Sequence, residues 1–317
     1  MVKFIKNIAL FILYAVILAF IIIILYKYKT GVSLKDVPAP NLTPSYSFND
    51  KMRFARKKKA DIIAVGSSMS LDNLSSNVIV NNFKTDSYLN LSSWGLTTKD
   101  IFSIIKIYSS IYKPYTVIIA SNYLDFQSTD KEFNHKQLAD YLKGSTSTFD
   151  DFFVNFSVNY YFTYFPFHKL TTSGNNFYES LIYDKFGGIS FDPSKFKIDK
   201  EIWNKIDLSN LREASYDYLD SISSFCSHNR VRLLFFQTPI RKGIYQNLNK
   251  DWLLKHISRV KAIILKNNHT FIDSNDRFWP DSLYIDPVHF NANGARQFTK
   301  YCFDKINNQH RCLKKKN

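Results

Sequence analysis

Cysteine is nearly absent from this chain: three residues in 317, Cys226, Cys302 and Cys312, with no CxxC pair and no Cys/His cluster at ligand spacing. That argues against a disulfide framework and against a structural zinc site. Cys302 and Cys312 are left open to pair, and only in an oxidising compartment. Glycine and proline are scarce, nine of each, which argues against a collagenous, linker-like or disordered chain. Acidic residues also run short, 27 Asp and Glu against 42 Lys and Arg, for a net charge of +15. The excess is spread along the chain without an RRM, zinc-finger or helix-turn-helix pattern, so nucleic acid is not the expected partner. Aromatics, at 16% of residues, supply ample apolar surface for a core. The length suits one large α/β domain or two small ones.

What the sequence has in plenty comes first in the chain. Residues 8–26 are 19 positions without a charge, and at about 1.5 Å per residue a helix of that length covers roughly 28 Å, the hydrocarbon thickness of a bilayer. Its exit, Tyr26-Lys27-Tyr28-Lys29, is an aromatic and basic interface anchor rather than the small-residue exit of a cleaved signal peptide. Residues 1–30 therefore read as a short tip and an uncleaved membrane anchor, with the bilayer as the first partner. Lysines on the two sides nearly balance, so charge alone leaves the orientation open. Residues 31–59 read as a polar and basic linker, ending in six basic residues out of nine at 51–59. That run is expected to be a solvated face, attracted to anionic headgroups or an anionic envelope polymer by a force that salt screens.

Beyond residue 60 short β-branched runs alternate with amphipathic stretches. Strands are expected at 61–65, 88–91, 116–120, 231–236 and 270–272, and helices at 97–112, about 207–229 and 250–267. Such alternation specifies a parallel sheet covered on both faces. One interruption, about 126–205, lacks it. Within it, residues 151–170 carry nine Phe or Tyr in twenty, too aromatic for an exposed loop. A small helical subdomain is one reading; a face toward the membrane, a membrane partner or sugar rings is the other.

In an open parallel sheet the ligand site lies beyond the carboxyl ends of the strands. Gly66-Ser67-Ser68 follows the first strand and leads into a helix, which presents a serine hydroxyl at the sheet edge. The turn alone is commonplace. Late in the chain, Asp286-Pro287-Val288-His289 precedes a terminal amphipathic helix. The three-residue offset lets the Asp286 carboxylate lie against the His289 ring, fixing its tautomer and stabilising the imidazolium. Ser68, His289 and Asp286 thus supply nucleophile, base and orienter. Thr238-Pro239-Ile240-Arg241-Lys242 follows the fourth strand, where Arg241 and Lys242 are candidates for holding an anionic substrate group, or a solvated loop pair.

These blocks resemble the SGNH (GDSL-like) hydrolase superfamily. Gly66-Ser67-Ser68 is similar to its first block and makes Ser68 the nucleophile. Asn90-Leu91-Ser92-Ser93-Trp94-Gly95 resembles the second, whose glycine amide binds the oxyanion, here Gly95. Ala120-Ser121-Asn122 stands where Gly-x-Asn would, with alanine in the glycine's place, and offers the Asn122 amide to the same hole. Asp286 and His289 match the last block in full. The resemblance covers residues 60–125 and 230–305. It implies a flavodoxin-like three-layer αβα fold over about 60–310, followed by a basic tail at 311–317, and a serine esterase or acyltransferase needing no metal and no cofactor. The Ser68 and Gly95 amides, with Asn122, form the oxyanion hole. The Gly-Ser-Ser form beside an amino-terminal anchor is most similar to envelope proteins of the teichoic acid D-alanine transfer and polysaccharide O-acetylation types. That implies a catalytic domain outside the cytoplasm, an envelope polysaccharide or related polymer as substrate, and a multi-spanning membrane acyltransferase as partner. Esterase and transferase remain alternatives, as does a non-catalytic binding partner that has kept the fold.

Overall fold

The computed structural model describes residues 2–30, 46–56, 58–127, 134–145, 183–191, 211–247 and 249–314. The aromatic run at 151–170, most of the interruption around it and residues 31–45 lie outside the described residues.

Five short strands follow one another through the chain: β1 (Ile62–Ala64), β2 (Tyr88–Asn90), β3 (Thr116–Ser121), β4 (Arg232–Gln237) and β5 (Thr270–Asp273). They pair in the order β2-β1-β3-β4-β5, every pairing parallel. This is the order of flavodoxin-like doubly wound sheets, in which the chain reverses its winding between β1 and β3. Side-chain alternation divides the sheet cleanly. Ile63, Leu89, Val117, Ile119, Leu233 and Phe235 face one layer; Ile62, Tyr88, Ile118, Ala120, Leu234 and Phe236 face the other. Both sets are apolar, as a strand buried on both faces requires.

Helices α1 (Val2–Thr30), α2 (Tyr46–Ala55), α3 (Ser68–Asn73), α4 (Ser76–Phe83), α5 (Thr98–Tyr112), α6 (His135–Lys143), α7 (Glu213–His228), α8 (Lys242–Asn247), α9 (Lys250–Lys266) and α10 (Ala292–Lys314), with 3₁₀ turns at Tyr123–Phe126 and Asp281–Leu283, complete the described elements. The first layer is built by α2, α5, α6, α7, α8 and α9, the second by α4 and α10. Local signals account for the start of α5: Thr97 and Asp100 form a reciprocal capping box, each side chain bonding the other's backbone amide.

α1 is apolar on all sides and every side chain described in it is exposed. Among the described residues it is the one helix long and apolar enough to cross a membrane.

Two expectations need correcting, and one open question is answered. The stretch at 31–59 is not linker throughout: α2 places Phe48, Met52 and Ala55 in the core. The basic run at 51–59 is not simply a solvated face, because Lys51 is 1% exposed. Its Nζ donates to the Ser92 carbonyl and to Asn90 Oδ1 at 3.2 Å. Burial holds its ammonium well below the usual lysine range, against the pull of Asp184 and Asp72. Finally, Cys302 and Cys312 both lie on α10, which runs through 311–314 of the expected tail. Ten residues along one helix separate their Cα atoms by about 15 Å, far outside the roughly 7 Å that a disulfide spans. Cys302 is a buried free thiol.

Candidate active site

Gly66 lies two residues beyond the end of β1, and the turn to α3 needs a residue without a side chain there. A Cβ on Gly66 would lie 2.1 Å from Ser70 Oγ, and that hydroxyl donates to the Ala120 carbonyl at 2.8 Å and accepts from the Ala120 amide at 2.7 Å. α3 is thereby drawn onto the end of β3. Ser67 caps α3, its Oγ accepting from the Met69 amide at 3.1 Å and donating to Asp125. Asp125 also accepts from Ser121 Oγ at 2.6 Å. Burial raises its carboxyl to about 6 against the pull of those hydroxyls. Ser67 is thus buried and engaged, whereas Ser68, the first residue of α3, is half-buried.

The other half of the site is a closed turn. Tyr284 and Phe290 bridge antiparallel, and Ile285 donates to the His289 carbonyl at 2.9 Å. Inside the turn Asp286 Oδ1 accepts the amides of Val288 and His289, both at 2.8 Å, and Oδ2 meets His289 Nδ1 at 2.6 Å. This is the orienting contact that the three-residue offset leads one to expect. The last residue of α3 joins the two halves. Asn73 Oδ1 accepts the Phe290 amide at 2.7 Å, and Asn73 Nδ2 reaches the Val288 carbonyl at 3.4 Å.

His289 Nε2, the nitrogen facing away from Asp286, lies 3.7 Å from Asp72 Oδ2 and has no hydrogen-bond partner among the described residues. Asp72 also accepts from Trp94 Nε1 at 3.3 Å. Burial would lower the imidazole's proton affinity, but Asp286, Asp72 and Asp125 together raise its pKa to about 9. Burial would likewise raise Asp286, yet the contact with His289 holds it below the ordinary carboxylate range. Burial raises Asp72 to about 7, against the pull of His289.

The remaining candidates fall at the same sheet edge with different surroundings. Gly95 is exposed, at φ +68, immediately after Trp94; its loop is tied to the first block by the Ser93 amide, which donates to the Gly66 carbonyl at 3.0 Å. Asn122 is buried. Its Oδ1 accepts the Leu124 amide at 2.9 Å, and its Nδ2 points to Met69 Sδ at 3.1 Å, beside Ser68. Lys242 is exposed, but Arg241 is buried and donates to Asp281 at 3.1 Å. The pair at 241–242 is therefore not a solvated pair: Arg241 is buried and ion-paired, and the two side chains line one pocket with Asp281. Among the described residues no group of three His, Cys, Asp or Glu is placed to hold a metal ion.

Sequence reasoning passed over Asp72, Asn73, Trp94 and Lys51. A signal for Asp72 existed in its spacing: four residues beyond Ser68, on one helix, it shares the serine's face. The roles of Asn73 and Lys51 depend on partners remote in sequence and carry no local pattern.

One protein-family model matches residues 193–311, a stretch that holds Asp286 and His289 but not the Ser68 turn. No curated protein matches the chain. Among solved structures, the chain is similar to a Bacteroides fragilis protein described as an acylhydrolase, at 13% identity and TM-score 0.39 over 82% of this chain and 94% of that one. It is also similar to a GDSL-like lipase from Bacteroides thetaiotaomicron, at 8% identity and TM-score 0.37 over 80% and 89%. A third likeness is to the psychrotrophic esterase EstA of a Pseudoalteromonas species, at 12% identity and TM-score 0.37 over 79% and 99%.

Proposed function

We propose that the chain is an SGNH-type serine esterase or O-acyltransferase, acting through an acyl-serine at Ser68. One observation carries the reading: the Asp286 carboxylate holds His289 Nδ1 at 2.6 Å on a turn that Asn73, the last residue of the Ser68 helix, clasps at 2.7 Å. In this reading Ser68 Oγ attacks an ester or thioester carbonyl carbon and its proton passes to His289 Nε2. Asp286 stabilises the resulting imidazolium. The amides of Ser68 and Gly95, with Asn122 Nδ2, receive the oxyanion. His289 then returns the proton to the leaving group, and the acyl-serine is resolved by water or by a hydroxyl acceptor.

The setting we infer is the cell envelope. The apolar, uncovered helix α1 supports a single-pass anchor; the family resemblance, not the helix, suggests its amino terminus inside and the folded domain outside the cytoplasm. The basic balance of the chain supports an anionic or polysaccharide polymer as substrate. A multi-spanning acyltransferase is the partner that the family resemblance suggests. A second reading, a non-catalytic scaffold for such a partner, is favoured by one detail: His289 Nε2 faces Asp72 and has no hydroxyl partner among the described residues.

A fluorophosphonate probe separates the two. Covalent labelling of the wild-type chain, lost in Ser68→Ala and in His289→Ala, is the expected result. An unlabelled wild-type chain would favour the scaffold. The acyl content of surface polymer in a deletion strain then divides transfer, which predicts less acylation, from removal, which predicts more.

A further inference from the structure

We propose that Asp72 is a positioning residue for His289, a second carboxylate that engages the imidazole on its Nε2 side and decides when that nitrogen is free to take a proton from Ser68. The consequence for catalysis rests on the serine-hydrolase reading; the pairing itself does not.

Asp72 follows Ser68 by four residues on α3, one helical turn along the same face. Its Oδ2 lies 3.7 Å from His289 Nε2, opposite the nitrogen that Asp286 holds. Both groups are enclosed: Asp72 is 1% exposed, and neither Asp72 Oδ1 nor His289 Nε2 has a hydrogen-bond partner among the described residues. An isolated buried carboxylate is costly, so what faces it matters. Trp94 Nε1 donates to it from the loop after β2, but one indole donor needs only an acceptor, and an amide oxygen would serve equally. The positive charges acting on it are His289 and Lys51, the buried lysine of α2. The charged groups acting on His289 are Asp286 on its own turn, Asp72 on α3 and Asp125 beyond β3. An imidazole between two carboxylates keeps its proton, in line with its raised pKa of about 9.

Proton balance gives the consequence. The Nε2 and Asp72 pair shares one proton, either as imidazolium and carboxylate or as imidazole and carboxylic acid. In the first form Nε2 is already protonated. In the second, at 3.7 Å, the acid makes no hydrogen bond to Nε2 and leaves it able to accept. The charge of Asp72 favours the first form, so that proton must leave Nε2 before acylation begins.

The experiment follows the His289 ring by NMR in the full chain in detergent, using histidine labelled at Cε1 with the signal assigned from His289→Gln, alongside the pH dependence of fluorophosphonate labelling. In Asp72→Asn, which keeps an acceptor for Trp94, the His289 titration is expected to move down by about one pH unit or more, and the rising limb of labelling to move with it. Trp94→Phe serves if Asp72→Asn does not fold: the side chain it removes is only half-buried, and losing its donation to Asp72 is expected to move both upward. An unchanged His289 titration in the folded variants overturns the pairing. Labelling whose limb stays put while the titration moves overturns the gating. A titration that moves in the variants while the wild-type chain is never labelled supports the pairing and overturns only the hydrolase reading.

Discussion

Ser67 Oγ donates to the Asp125 carboxylate while its neighbour Ser68 stands half-buried at the start of α3. Adjacent and chemically identical, the two serines are separated by that bond. Ser67→Ala is expected to remove the helix cap and one of the two hydroxyls that hold Asp125, lowering stability by about 1–2 kcal/mol in urea denaturation while probe labelling persists. Ser68→Ala is expected to abolish labelling with stability changed by less than about 0.5 kcal/mol. The reverse pattern would exchange their roles.

In the serine-hydrolase reading only neutral His289 takes the serine proton, and its pKa of about 9 places the neutral form in the minority at pH 7. Labelling at subsaturating probe should therefore climb through the neutral range, about tenfold per pH unit, and level off near pH 9. Stability runs the other way. The folded pKa lies above the ordinary 6.5, so the stabilisation from His289 is complete below pH 6.5 and lost as pH rises through 9. Asp286, held below its usual value, contributes stability that is present above the carboxylate range and lost on acidification. Melting temperatures of wild type and His289→Gln across pH 5–10 should converge at the alkaline end.

Gly66→Ala would set a methyl group 2.1 Å from Ser70 Oγ and 2.5 Å from Ser70 Cβ. Overpacking of this kind costs about 1–3 kcal/mol, and here it would also displace the Ser68 turn. Loss of both labelling and stability is expected. Ser70→Gly should restore part of the packing in the double variant, whereas Ser70→Ala, which keeps the offending Cβ, should not. Thermal melts of the four chains measure this.

A chain starting at residue 60 lacks Phe48 and Met52, both fully buried. Losing a core Phe and a core Met costs about 3–5 and 2–5 kcal/mol, comparable with the whole stability of a typical domain. Such a chain is expected to lack a cooperative urea transition, and one starting at residue 31 to show it.

The full chain, carrying α1, should remain with membranes at high salt. A carboxyl-terminal phosphatase fusion that is active only after export should be active on it. A silent phosphatase beside a bright cytoplasmic fluorescent fusion would reverse the topology and remove the envelope polymer from reach.

How far these features could be read in advance depended on where their partners lie. The strands of the sheet are local runs flanked by polar stretches, and each expected run matches a strand to within about one residue at either end. Thr97 and Asp100 announce α5 because a capping box is complete within four residues. Asp286 and His289 likewise meet across a single turn. Lys51 misled because nothing beside it in the chain shows that Asn90 and Ser92 will close over its ammonium. Asp72 reads as a polar helix residue until His289 arrives more than two hundred positions later. Asn122 could be placed at the end of β3 by pattern, but the direction of its amide, toward Met69, is set by packing.

The clasp between Asn73 and Phe290 spans 217 positions in the chain. Contacts of such separation are entropically expensive to close and form late in folding. A nascent or half-folded chain can therefore own its serine turn, its first three strands and the apolar helix α1 while the histidine is still unassembled. If Ser68 is the nucleophile proposed above, its reactivity would be delayed until the carboxyl-terminal helix α10 has docked, and an immature molecule would leave neighbouring esters untouched.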